Sequence, residues 1–153
     1  MKALVLFGPV PSPPPSVKAG CIARAQVVRN SGMAAITDAV VANGFSEKTL
    51  TSNLIAVAFA RELLSRQTKE GYALALEALG SSVSPAWENV KAKTTIVSGI
   101  DDKVSSAEVA GFVKGKLEGN ANVEVVSWVG VGHWHTLEKP LEAGLVVRKA
   151  VLA

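Results

Sequence analysis

Three short apolar runs, each leading into a glycine, constrain the fold of this chain more than any other feature. They are Ala3–Phe7 before Gly8, Thr94–Ser98 before Gly99, and Val123–Trp128 shortly before Gly130. Continuous β-branched and apolar runs of this length read as strands buried in a parallel sheet. The stretches between them are too long for hairpins and carry helical periodicity. Consecutive strands are therefore joined by crossovers, which run right-handed and set the strands side by side. The pattern predicts an α/β fold with three parallel strands.

The first crossover is the long one. Pro11-Ser-Pro-Pro-Pro15 is read as a stiff extended connector, since proline lacks the N–H that a helix or inner strand needs. From Val17 to about Ser81 the pattern is helical. Ile22, Ala25 and Val28 mark one inward face, ending near Asn30-Ser-Gly32, and Met33, Ile36 and Val40 mark a second, closed by Asn43-Gly44. Ser46 is a candidate cap for the next helix, with Leu50, Leu54, Ala58 and Leu63 as an apolar stripe through to Gln67. Lys69 to Leu79 gives a further helix with Tyr72, Leu76 and Leu79 inward. Beyond the second strand, Ser105 or Ser106 starts a helix with Val109, Phe112, Val113 and Leu117 apolar, ended by Gly119-Asn120. Leu141 to Leu152 makes the last, with Leu145, Val146 and Val151 apolar.

Composition narrows the class. The 153 residues are 48% apolar and 19% charged, the signature of a globular chain with a core. A net charge of +3 is spread over scattered lysines and arginines, and aromatics are few, so nucleic-acid binding has no support. Cys21 is the only cysteine, read as a small apolar filler. With no partner for a disulfide it favours the cytoplasm. No apolar run approaches the roughly 18 residues of a membrane span. The N-terminal run breaks at Gly8-Pro9 without a signal-peptidase site, and Val17-Lys-Ala-Gly-Cys21 has a lysine where a lipoprotein box needs an aliphatic residue.

The chemistry concentrates after the second and third strands. Ile100-Asp-Asp102 follows one strand end, and Gly130-Val-Gly-His-Trp-His-Thr-Leu-Glu-Lys-Pro140 follows the next. A carboxylate and an imidazole brought to adjacent strand ends are two members of a hydrolytic triad, the imidazole as general base and the carboxylate holding its tautomer. His133 is the candidate base. Asp102 and Asp101 are both candidates for the carboxylate. His133-x-His135 also suggests a metal pair, but no third ligand stands at a suggestive spacing, so no metal and no cofactor are expected. His135 is read as a loop residue near a pocket mouth, and Trp134 as packing for the loop.

The order G-x-x-D, then G-x-G-H-W-x-x-L-E-x-P, resembles the C-terminal half of the α/β-hydrolase fold, and most of all the 3-oxoadipate enol-lactonase group with its small-esterase relatives. The resemblance spans nearly the whole chain, since the strand at Leu4 is similar to the one that follows the nucleophile helix. It implies a core formed by residues 1–16 and 85–153, a helical cap at 17–84, and Asp102 rather than Asp101 beside His133. It implies a small-molecule ester or lactone as substrate.

The resemblance also implies a nucleophile elbow, G-x-S-x-G, and none occurs in these residues. No nucleophile is therefore assigned, and the elbow and the strands around it are expected to be absent from the fold. Three readings remain open: the C-terminal portion of an ester or lactone hydrolase, a non-catalytic fragment or small-molecule-binding module, or a related chemistry such as haloperoxidase, acyltransferase or dehalogenase on the same frame. The first strand, apolar and uncharged, is expected to present an open edge that invites pairing with another chain.

Overall fold

A computed structural model describes residues 2–119 and 121–152. Strands β1 (Ala3–Phe7), β2 (Lys93–Gly99) and β3 (Val123–Trp128) form one sheet in the order β1-β2-β3. Both pairs are parallel, with Phe7 opposite Val97 and Gly99 opposite Trp128. Only β2, the central strand, is buried along its length after Lys93. β1 is half-buried throughout rather than fully covered as expected, and its edge away from β2 carries no neighbouring strand among the described residues.

Five helices occupy the first crossover: α1 (Pro15–Ser31), α2 (Ala34–Gly44), α3 (Glu47–Ser52), α4 (Leu54–Ser65) and α5 (Lys69–Gly80). Pro15 is not part of the connector. It opens α1, where a missing N–H costs nothing and a fixed φ favours the first turn. Gly32 ends α1 at φ +76°, donating its N–H to the Val28 carbonyl. The stretch read as one helix from Ser46 to Gln67 is two. The Ser46 hydroxyl caps α3 by accepting from Thr49 N, and the Asn53 side chain caps α4 by accepting from Ala56 N, so the chain breaks between them. Thr68 caps α5 in the same way through Gly71 N.

The inward faces of these helices differ from the expected stripes. Ala25 and Val28 are buried as expected, but Ile22, Leu54, Leu63 and Leu79 are exposed, while Cys21, Ala56, Ala60, Leu64 and Ala73 are buried. Alanines let α1 and α5 approach closely at Cys21, Ala25, Ala73 and Leu76, and a large side chain there would hold the helices apart. Arg29 ties the same two helices from outside, donating to both Glu70 oxygens at 2.8 and 2.9 Å and pairing with Glu77. A second cluster joins Val28, Met33, Ile36, Val41, Phe45 and Leu64 within the helical layer.

A 3₁₀ turn (Trp87–Asn89) leads back to β2. Helix α6 (Ala107–Leu117) covers one face of the sheet, packing Ala110, Val113 and Leu117 on Ile96. Phe112, expected inward, is half-exposed. Asn120, proposed to end this helix, lies outside the described residues. Helix α7 (His135–Glu138) was not expected, and α8 (Pro140–Leu152) follows it and packs on β1. On α8 it is Ala143 that is buried, while Leu145 and Val151 point outward. No helix among the described residues is long and apolar enough to cross a membrane.

Candidate active site

Parallel strands deliver the loops at their C-terminal ends to one edge of the sheet. There Gly8 ends β1, Asp102 follows β2, and His133 follows β3. His133 Nδ1 lies 3.0 Å from Asp102 Oδ2. The Asp102 side chain is fully buried and that of His133 is 25% exposed, so the carboxylate is sealed behind an imidazole whose outer side reaches solvent. Asp101, the alternative, is exposed.

The other oxygen of Asp102 is also used. Oδ1 accepts from Val104 N at 2.8 Å and Ser105 N at 2.7 Å. Burial pushes the carboxyl pKa up, but the bonds from His133, Ser105 and Val104 together outweigh it, and the group stands below its ordinary value. It is a preorganised anion beside the ring, the arrangement that fixes a tautomer and stabilises an imidazolium.

The glycines of the two motifs have separate steric reasons. A side chain at Gly99 would strike the Val131 and Gly132 carbonyls, because the histidine loop lies directly on the end of β2. One at Gly132 would meet Ser46 N at 2.6 Å and Phe45 C at 2.7 Å. Gly130 turns the chain at φ +71°. Gly8, read from the sequence only as a strand stop, belongs to the site. At φ +52°, the position of its absent Cβ is 3.0 Å from both Asp102 Oδ2 and His133 Nδ1.

His135 is not a loop residue at a pocket mouth. It begins α7, is 1% exposed, and stands about 6 Å from the rings of Phe7 and Trp128. Its Nδ1 lies 2.8 Å from the His133 carbonyl, which can only accept, so Nδ1 carries the proton and Nε2 is left as a buried lone pair without a partner among the described residues. Burial holds its pKa below the ordinary imidazole value, with the bond to the His133 carbonyl and the nearby Asp102 opposing. The pattern H-x-H suggested a shared extended face; the helical turn at His135 instead sends the second ring inward. Among the described residues no group of three or more His, Cys, Asp or Glu could hold a metal ion.

His133 and Trp134 border a cleft of about 500 Å³ between the sheet edge and the helical layer. Val17, Val40 and Leu76 line it with apolar surface, and Arg24 and Lys103 add two cations. Trp134 packs edge-on against Phe45 with ring centroids 4.7 Å apart and leaves room for Gly44 alone, since a Cβ there would fall 2.7 Å from its ring. A larger groove at Met33, Thr37 and Arg61 lies apart from this pair and contains no histidine.

No family model matches the chain, and no curated protein matches its sequence. Solved structures do. An esterase from Thermogutta terrifontis aligns over 96% of this chain at a TM-score of 0.86 and 18% identity, an alignment that spans 54% of the esterase. The enol-lactonase from Burkholderia xenovorans aligns over 100% of this chain at 0.82 and 20% identity, spanning 57% of that chain. An α/β hydrolase from a Medee basin deep-sea metagenome library aligns over 99% at 0.81 and 19% identity, spanning 56%. The chain thus spans little more than half the length of the proteins it matches. Such identities speak to architecture alone, and the architecture is clear: this chain carries the three-stranded parallel sheet and helices of a partial α/β-hydrolase fold.

Proposed function

We propose that Asp102 and His133 are the acid and base members of a hydrolytic triad acting on a carboxylic ester or lactone. The observation that carries this reading is the 3.0 Å contact between a fully buried carboxylate and an imidazole at the border of an open cleft. In the proposed mechanism His133 takes the proton of an attacking hydroxyl and returns it to the leaving group, while Asp102 holds Nδ1 and stabilises the imidazolium. Residues 17–84, which hold α1 from its third residue together with α2–α5, act as the cap over residues 1–16 and 85–153. A substrate of the enol-lactone type fits the reading, since the cleft is apolar with cations at its wall.

The attacking serine belongs to no G-x-S-x-G of this sequence. It would come from a polypeptide segment that pairs with the open side of β1, the strand whose end, at Gly8, meets the Asp–His pair. The same gap supports a second reading, a small-molecule-binding module without turnover. General-base help alone contributes only about a hundred- to ten-thousand-fold, so under either reading the isolated chain turns over negligibly.

The experiment assays p-nitrophenyl acetate and an enol-lactone with the isolated chain and with the chain co-expressed with a segment that supplies a strand and a G-x-S-x-G elbow. His133→Ala runs in parallel. Turnover that appears only on complementation and vanishes in His133→Ala supports the hydrolase. Complemented turnover that survives His133→Ala removes His133 from the chemistry, and ligand binding without turnover in either preparation favours the binding module.

A further inference from the structure

The carboxylate of Glu138, in α7, is satisfied by four donors from two parts of the fold. Oε1 accepts from Gly132 N at 2.8 Å. Oε2 accepts from Ser46 N at 3.1 Å, the Ser46 hydroxyl at 2.6 Å and the Thr49 hydroxyl at 2.7 Å. The first donor is the backbone immediately before His133; the other three belong to the start of α3. One side chain thus spans the seam between the histidine loop and the helical layer.

Other contacts run along the same seam. His133 N and Trp134 N both donate to the Gly44 carbonyl, at 2.8 and 3.1 Å. The Ser46 hydroxyl also lies 2.9 Å from the Gly130 carbonyl. The close approach that excludes a side chain at Gly132 is this same corner. On its other side the loop is tied to the end of β2, where Asp101 N donates to the Val131 carbonyl at 3.0 Å. Glu138 adds a charged acceptor to the seam, with one oxygen on Gly132 N and the other on Ser46 and Thr49.

We propose that Glu138 is the positioning residue of His133: by clamping Gly132 to Ser46 and Thr49, it makes the aim of the imidazole at Asp102 depend on a contact with the helical layer. A ligand held against that layer is then held in register with the base. A displacement of about 1 Å far from the reacting atoms is enough to lose about a hundredfold in rate. The inference rests on the triad reading, and its test keeps the two apart.

The test is imidazole ¹H/¹⁵N NMR on the chain itself. In the wild type, the Nδ1–H of His133 held on Asp102 gives a far-downfield proton, assigned by its loss in Asp102→Asn. Glu138→Ala is expected to abolish that signal while the backbone amide signals of β2 and α6 stay in place. Thr49→Val, which removes one of the four donors, speeds its exchange with water several-fold. If Glu138→Ala is folded and retains the signal at the wild-type exchange rate, the positioning role is overturned while the Asp–His pair stands. If Glu138→Ala does not fold, Thr49→Val decides: an unchanged exchange rate overturns the clamp. A wild-type protein with no such proton sinks the triad reading itself and the clamp with it.

Discussion

Asp102 is the most informative residue to remove, because its carboxylate serves three donors and only one of them is His133. Asp102→Ala strips the acceptor from Val104 N, Ser105 N and His133 Nδ1 together. Ser105 is fully buried, so its N–H has no water to turn to, whereas Val104 is 46% exposed and His133 reaches solvent. A hydrogen bond to a charged group contributes about 1.5–3 kcal/mol, and a buried donor left unpaired costs about 1–3 kcal/mol. One orphaned buried donor and one or two lost charge-assisted bonds, partly replaced by water, place Asp102→Ala at about 3–5 kcal/mol. That is a large share of a domain's usual stability of about 5–15 kcal/mol. Asp102→Asn keeps an oxygen for the two backbone donors and loses only the charge facing His133, which costs about 1–2 kcal/mol.

Urea unfolding at pH 7, followed by circular dichroism, should therefore separate the two variants by about 2–3 kcal/mol. Indistinguishable midpoints would refute the division of labour between the two oxygens. Acid unfolding adds a second check. The folded carboxyl lies below its ordinary value of 3.8, so its contribution is complete above that pH and is lost as the pH falls through the folded value. The wild type should lose stability in that range more steeply than Asp102→Asn does.

Gly8→Ala should disturb the Asp–His pair, since the new Cβ would stand 2.8 Å from His135 Cε1 and 3.0 Å from both Asp102 Oδ2 and His133 Nδ1 at a φ of +52°; the backbone strain alone costs about 1–3 kcal/mol, and the far-downfield His133 proton should vanish. His135 is neutral and buried with its pKa below 6.5, so the stability tied to its neutral form is complete above that pH and declines as the pH falls below it. The stability profile between pH 7 and pH 5 should accordingly be flatter in His135→Phe than in the wild type, by chemical denaturation at each pH.

The strand positions and the common edge of the two site loops were legible in the sequence because they rest on local rules, whereas Asp102 rather than Asp101 beside His133 was implied only by the family resemblance. Ala3–Phe7 and Val123–Trp128 are bounded by their own apolar runs, and parallel order follows from crossovers too long for hairpins. Once the strands are parallel, the loops bearing Asp102 and His133 must share one edge. Caps at Ser46 and Gly32 were equally local. Helix faces were not. Leu54, Leu63 and Leu79 look inward by hydrophobicity, yet closely packed helices select alanines for the contact, and which side makes that contact depends on the neighbouring helix.

The site's supporting residues depended on tertiary structure for the same reason. Gly8 is 125 residues from His133, and Glu138 is 92 from Ser46, so neither spacing carries a periodic signal. His135, expected as a loop residue near a pocket mouth, is turned inward beside Phe7 and Trp128 by a single helical turn. Local patterns were enough to bring the loops of Asp102 and His133 to one sheet edge. Which side chains border the cleft and which are sealed away is set by contacts between segments that no local pattern couples.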